Sequence, residues 1–141
     1  MYPILAIDFG KKHIGLAISD SKGLVCSPLP VINITKGKKE GDLISEIQNI
    51  CSEYKAKSIL IGYPQVFEEV HQQNQNRIDA FIKLILSPLG FPIIKWDESF
   101  STKGAVDVVI SQGSNYKSSR KRIDSIAASV FLEEYLNSKK N

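Results

Sequence analysis

The stretch Ile4-Leu5-Ala6-Ile7-Asp8-Phe9-Gly10-Lys11-Lys12-His13-Ile14-Gly15-Leu16-Ala17-Ile18-Ser19 decides the reading of the fold. Ile4 to Ile7 is an unbroken apolar run, which predicts a short strand buried on both faces. Phe9-Gly10-Lys11-Lys12 predicts a turn. Ile14, Leu16 and Ile18 then alternate with Gly15, Ala17 and Ser19, the period of a second strand. Asp20-Ser21-Lys22-Gly23 predicts another turn, and an extended stretch follows from about Leu24 to Ile34. Pro28 and Pro30 lack the N–H that a ladder needs, so this third strand belongs at a sheet edge. The opening is expected to be an antiparallel three-stranded meander.

The pattern changes downstream. Leu43, Ile44, Ile47, Ile50, Cys51 and Tyr54 recur at helical spacing. Ser58-Ile59-Leu60-Ile61 reads as a buried strand closed by Gly62 and Pro64. Ile78, Phe81, Ile82, Ile85, Leu86 and Leu89 form a second helical stripe, and Phe91 to Trp96 reads as a fifth strand. Ser101 is an N-cap candidate for a helix ending near Gly113. Gly113 to Arg122 is polar, basic and without apolar anchors, and predicts a loop that is mobile in the absence of substrate. A last helix is expected from about Lys121 to Ser138. The order β-β-β-α-β-α-β-α-α predicts an α/β fold, a mixed five-stranded sheet with helices on its faces.

The chain has 141 residues, enough for one domain, expected to span 1–141, with one sizeable core. Hydrophobic residues at 43% and charged residues at 23% fit an ordinary globular protein. Lys and Arg number 18 against 15 Asp and Glu, a net charge of +3 that permits a polyanionic partner without requiring one. No segment approaches the roughly 20 apolar residues of a membrane span. Nor does a basic, apolar leader precede the first strand. A cytoplasmic protein is expected, with no membrane partner, as a monomer or weak homodimer. Cys26 and Cys51 form no zinc-ligand pattern, and Cys51 falls on a helical apolar face as a small buried hydrophobe. His13 and His71 have no partner ligands at useful spacing. The cluster Lys36, Lys38 and Lys39 suggests no role, and Asp79 and Asp107 read as surface charges.

Three carboxylates stand where chemistry is expected. Asp8 leaves the first buried strand, and ligands in open α/β sheets gather beyond the carboxyl ends of parallel strands. A turn aspartate bonding its own backbone is the competing reading. Asp97 and Glu98 leave the fifth strand in the same way. Adjacent strand residues face opposite sides, so one of the two faces the crevice; solvated loop carboxylates compete with this reading. Asp124 shares a helical face with Ala128, Phe131 and Tyr135, where a carboxylate is costly unless paired or metal-bound. The alternative is a first-turn aspartate stabilised by the helix dipole. Together, hard oxygen ligands of this kind suit Mg²⁺ or Mn²⁺, and such a site can activate water and stabilise the attacking and leaving oxygens of a phosphodiester. Lys11 and Lys12 follow Asp8, and Lys117, Arg120, Lys121 and Arg122 precede Asp124. These flanking cations suit a phosphate backbone, and Tyr116 suits stacking on a base, although any one cluster also reads as a solvated loop.

These residues also carry a resemblance. Ile7-Asp8-Phe9-Gly10 with Ile14-Gly15-Leu16-Ala17 resembles the opening of the YqgF/RuvX family of Holliday-junction-resolvase-like nucleases. Ile61-Gly62-Tyr63-Pro64 resembles the family's Gly-Leu-Pro segment. Asp97-Glu98-Ser99-Phe100-Ser101-Thr102 with Ala105 resembles its Asp-Glu-Arg-Leu-Ser/Thr-Thr-x-x-Ala segment. Asp124-Ser125-Ile126-Ala127-Ala128, running on to Tyr135-Leu136, resembles its final helix. The ordered set spans nearly the whole chain. The resemblance implies an RNase H-like fold and an acidic triad of Asp8, Glu98 and Asp124. It implies an endonuclease that matures the 5′ end of precursor 16S rRNA, with junction resolution on branched DNA as the alternative. Ser99 stands where the family usually has Arg, and residues 65–73 lack its usual Asp/Gly-rich loop. Two other classes compete. Asp8, Gly10 and Gly15 fit the phosphate loop of an actin-like ATPase, but those enzymes close two such domains around ATP. A non-catalytic RNA-binding module on the same scaffold predicts binding that survives loss of the carboxylates.

Overall fold

The computed structural model describes residues 1–35, 37–64, 69–97 and 116–140, with the backbone alone for residues 69–71 and 116–125. Its strands are β1 (Ile4–Phe9), β2 (His13–Ser19), β3 (Cys26–Asn33), β4 (Ser58–Tyr63) and β5 (Ile93–Asp97). They form one sheet in the order β3-β2-β1-β4-β5. β1 pairs antiparallel with β2, and β2 with β3, so the expected meander is present. β4 lies parallel to β1, and β5 parallel to β4. Phe9, expected in a turn, is the last residue of β1.

β3 is an edge strand, as its prolines require. Ile14 pairs with Ile32 but Leu16 pairs with Leu29, so a bulge inserts one extra residue around Pro30 and Val31. The bulge and the missing N–H groups blunt this edge against pairing with other chains.

The period of two along the strands splits the core. Leu5, Ile7, Ile14, Leu16, Ile59 and Ile61 face α1 (Glu40–Tyr54) and α2 (Glu69–Phe81). Ile4, Ala6, Ala17 and Leu60 face the last helix, α3 (Tyr116–Ser138), through Ala128, Phe131, Leu132, Tyr135 and Leu136. The small residues of β1 and β2 on that face, Ala6, Gly15 and Ala17, leave room for the fully buried Phe131 and Leu132. In α1, Ile47 and Cys51 are buried and Leu43, Ile44 and Ile50 pack around them, whereas Tyr54, expected on the same stripe, is exposed.

Two helix boundaries differ from the expectation. α2 begins at Glu69, ahead of the apolar stripe, and ends at Phe81. The stripe then continues through a π turn at Ile82–Leu86 and a 3₁₀ turn at Ser87–Leu89. The basic segment expected as a mobile loop is helical from Tyr116, so residues 116–122 form the first turns of α3. Lys and Arg have helix propensities close to that of Ala. Their run lacks an apolar stripe, which is why its pattern predicts a loop, but it does not lack helix-forming residues. The helix expected from Ser101 to Gly113, and Asp107 within it, lie outside the described residues.

Candidate metal centre and nucleic-acid interface

β1, β4 and β5 are mutually parallel, so their carboxyl ends lie at one edge of the sheet. Asp8 pairs with Gly15 on one side. On the other, Ile7 pairs with Ile61, so the next step of the register sets Asp8 alongside Gly62, which itself pairs with Trp96. Asp8 follows Ala6 by two residues, which places it on the α3 face. The row Gly15-Asp8-Gly62-Trp96 thus places one half-buried carboxylate between two glycines without side chains to cover it.

The direction of α3 follows from its C-terminal end. Lys140 Nζ, just past that end, donates to the Leu24 carbonyl at 3.1 Å, and Leu24 lies in the turn between β2 and β3. That turn sits at the amino end of β1, because Leu5 pairs with Ile18. α3 therefore runs back along β1, and its N-terminal part comes to the end of the sheet where Asp8 lies. Position 124 precedes Ala128 by one turn on the stripe that contains the buried Ala128, Phe131 and Tyr135. The early start of α3 also changes the place of Asp124 in its helix. It lies eight residues after Tyr116, whereas the helix dipole acts within about one turn of the terminus.

Asp97 pairs with Tyr63 and shares its parity with Ile93, which faces α1 and α2. It lies on the sheet face away from Asp8. Glu98 lies outside the described residues. Among the described residues no three His, Cys, Asp or Glu side chains cluster, and of the expected triad only Asp8 has a described side chain. What surrounds Asp8 fits a hard cation. The row offers carboxylate oxygen and no soft ligand. Trp96 Nε1, two strands away, is a buried donor with no hydrogen-bond partner among the described residues, suited to a carboxylate or phosphate oxygen.

Lys11 and Lys12 are exposed in the β1–β2 turn, directly beyond Asp8. Tyr116, Lys117, Arg120, Lys121 and Arg122 occupy the first turns of α3. Cations at a helix N-terminus oppose the dipole there, so this run is not placed for the helix's own stability. His13 begins β2, and the residues numbered 36, 65–68 and 98–115 lie outside the described set. Lys38 is held by the Asn33 carbonyl at 2.7 Å and by Glu46 at 3.1 Å, a structural role.

Sequence reasoning does not single out Arg77, Tyr63 or Lys95. Arg77 lies over the Phe9 ring and Lys95 over the Tyr63 ring, at 5.0 and 4.5 Å from the centroids. Lys95 also bonds Asp79 at 3.0 Å, and Tyr63 donates to Asp79 at 2.9 Å. Burial pushes the Asp79 carboxyl up, but the hydrogen bonds from Lys95 and Tyr63 outweigh it and hold it below the usual range. Asp79 is exposed, as expected of a surface charge. The one signal that could have found these residues is strand parity, which sends Phe9, Tyr63 and Lys95 to one face.

The chain matches the model of the RuvX family, described as Holliday junction resolvase, over residues 2–138. A protein of Caldicellulosiruptor bescii named "Putative pre-16S rRNA nuclease" is 35% identical over 136 residues, covering 95% of each chain. One of the same name from Thermoanaerobacter pseudethanolicus is 33% identical over 139 residues, covering 98% of each. The fold resembles Thermus thermophilus RuvC in complex with Holliday junction substrate, with a TM-score of 0.57 at 12% identity over 96% of this chain and 94% of that one. It also resembles the Fowlpox virus resolvase bound to Holliday junction DNA, with a TM-score of 0.56 at 20% identity over 99% of each. With its meander, its two parallel strands and α3 across the sheet, the chain has the RNase H-like fold. The chain belongs to the RuvX family and is a nuclease of that family.

Proposed function

We propose that this chain, as a single nuclease domain over 1–141, is a metal-dependent endonuclease that cuts precursor 16S rRNA near its 5′ end. Asp8, Glu98 and Asp124 hold Mg²⁺ or Mn²⁺. The observation that carries this reading is the half-buried Asp8 carboxylate at the carboxyl end of β1, between Gly15 and Gly62, on the face over which α3 brings position 124 to the same end. A bound divalent ion supplies Lewis-acid stabilisation of the attacking and leaving phosphodiester oxygens. Asp8 and Asp124 bind it, and Glu98 completes the set or orients the attacking water. Lys11, Lys12, Lys117, Arg120, Lys121 and Arg122 hold phosphates, and Tyr116 stacks on a base. These residues set the register of the backbone and take no part in bond breaking.

Resolution of branched DNA is the second reading, favoured by the likeness to two resolvases whose structures hold junction DNA. One assay separates the two: cleavage of precursor 16S rRNA and of a four-way DNA junction, side by side, in Mg²⁺ and in Mn²⁺. Metal-dependent cutting of the RNA at a defined 5′ site, with the junction intact, supports the first reading. The converse supports the second. Binding without cutting of either substrate, unchanged in Asp8→Asn, makes the chain a binding module.

A further inference from the structure

The face of β1 opposite Asp8 carries a second feature. Phe9 points toward α1 and α2 and stacks on Phe81, with centroids 4.2 Å apart and 18° between the planes. Phe81 is buried, so the stack is fixed from below. The Arg77 guanidinium carbon lies 5.0 Å from the Phe9 centroid. Arg77 reaches Asn74 Oδ1 only at 3.4 Å, and among the described residues no carboxylate forms an ion pair with it. Within that set of residues, a cation is held against an aromatic ring without a paired counter-charge.

A cleft of about 250 Å³ opens beside this stack, with Phe9, Ile34, Leu43, Ala80 and Leu84 among its walls and Arg77 and Glu40 at its rim. Leu84 is 48% exposed, a large apolar side chain left open at the mouth. The Ile34 N–H donates to the Lys12 carbonyl at 2.8 Å, so the turn with Lys11 and Lys12 borders the same cleft. The volume falls below the roughly 300–1,000 Å³ of small-molecule pockets, which suits one flat ring system. An aromatic floor, a guanidinium plane and lysines beside the rim are the elements of single-strand recognition, in which an unstacked base lies on an aromatic or arginine surface. A base paired inside a duplex cannot enter such a cleft.

We propose that the Phe9–Arg77 cleft is a base-binding subsite for single-stranded nucleic acid, taking one unpaired base of the strand that crosses the carboxyl edge of the sheet past Asp8. Arg77 stacks on that base and neutralises the adjoining phosphate. The proposal rests on the nucleic-acid-binding reading above. It deepens that reading by making a single strand, rather than a duplex, the part of the substrate held beside the cut.

The test uses the full chain carrying Asp8→Asn, so that binding is read without cleavage. Anisotropy gives Kd for a labelled single-stranded RNA and for an RNA duplex of equal length. Adding Arg77→Met, which keeps the aliphatic stem over Phe9, should weaken single-strand binding by about tenfold or more, as loss of one stacked base does, and duplex binding far less. Arg77→Lys keeps the charge without the flat surface and should recover only part of the loss. A 2-aminopurine moved along the strand should be quenched at one position by Asp8→Asn alone, a readout that needs no Arg77 variant to fold. Equal losses for the two RNAs, no loss, full rescue by Arg77→Lys, or quenching nowhere would each overturn the subsite. If the Asp8→Asn protein binds neither RNA, the nucleic-acid reading itself fails, and the subsite with it.

Discussion

Gly10→Ala tests the geometry that sets Asp8, Phe9 and the two turn lysines relative to β2. Gly10 donates its N–H to the His13 carbonyl at 3.0 Å, closing the β1–β2 turn. A Cβ added at Gly10 would stand 2.7 Å from that same carbonyl oxygen. Ordinary carbon–oxygen approaches begin near ~3.3 Å, so about 0.6 Å must be found. The obstructing atom is backbone, and the next residue, Ile14, is fully buried in the core, so β2 has little freedom to retreat. Relief comes from opening the turn, which weakens the N–H bond, worth about 0.5–1.5 kcal/mol. The remaining crowding costs about 1–3 kcal/mol. A total of about 1.5–4.5 kcal/mol corresponds to a Tm lower by roughly 5–20 °C for a domain of this size. Binding of single-stranded RNA should fall as well, because the turn carries Lys11 and Lys12. The control is Gly41→Ala. Gly41 lies in α1 with nothing within 4 Å of its added Cβ, so there the substitution should raise Tm slightly, by removing a helical glycine. Thermal unfolding followed by circular dichroism reads both. A Gly10→Ala protein that melts within about 2 °C of the parent and binds RNA equally would refute the reasoning.

Asp8→Asn and Asp124→Asn should abolish cleavage while leaving RNA affinity unchanged or higher, because each removes negative charge near phosphate; single-turnover cleavage in Mg²⁺ and Mn²⁺ decides it. Lys117→Ala or Arg120→Ala should weaken binding and reduce the slope of log Kd against log salt by about 0.7–0.9 for each phosphate that is no longer neutralised, with cleavage at saturating substrate largely kept. Burial pushes the Cys51 thiol up to about 11, so at pH 8 it should resist a thiol-specific dye in the native protein and react on unfolding in urea. Cys26, also raised by burial and donating to the Ser129 carbonyl at 3.4 Å, should react slowly. The Asp79 carboxyl is held below its ordinary 3.8, so its pairing with Lys95 stabilises the fold above that pH and is lost as pH falls through the lower folded value. Both partners are about half exposed, so Asp79→Asn should cost less than about 1 kcal/mol at pH 7 and progressively less as pH falls below 3.8, read from Tm across that range.

What the residues reveal in advance depends on whether burial leaves a period. Ile4 to Ile7, the alternation of β2 and the prolines of β3 each report a constraint that packing imposes on every residue, and those elements are where the patterns put them. Helix starts built from polar residues leave no such trace. Glu69 to Arg77 and Tyr116 to Arg122 contain almost no apolar side chains, so the sequence offers no stripe. Both nevertheless continue helices that the next turns anchor in the core. The π turn is invisible for a related reason. Its buried residues Ile85 and Leu86 and its exposed Leu84 fall where an ordinary helical stripe from Ile78 to Leu89 already puts them, so nothing in the apolar period marks the place where the helix widens. In the site, Asp8 is legible because a carboxylate ending an apolar run is chemically conspicuous. Arg77 is not, because a single arginine in a polar helix acquires meaning only once Phe9 is known to lie beneath it.

Extending β1 by two residues, from Ile7 to Phe9, has a consequence for how one strand end serves two purposes. Were Phe9 in a turn, its ring would be free of the sheet's alternation. As the final residue of β1 it must face opposite to Asp8. The α3 face then receives the carboxylate, bordered by Gly15 and Gly62, and the α1/α2 face receives the ring, backed by Phe81 and overlaid by Arg77. Acidic and cationic-aromatic groups are thereby kept on opposite sides of a single peptide unit. Arg77 cannot swing across to neutralise Asp8, and Asp8 cannot discharge the cation beside Phe9. In the proposed binding mode, a strand of nucleic acid that crosses the carboxyl edge would meet both, phosphate on one side and base on the other. Their separation is fixed by the stiffness of a sheet strand rather than by a flexible loop. The same alternation makes a one-residue insertion between Ala6 and Phe9 a severe perturbation. It would exchange the two faces, place an aromatic ring against α3, and remove cleavage and single-strand binding together.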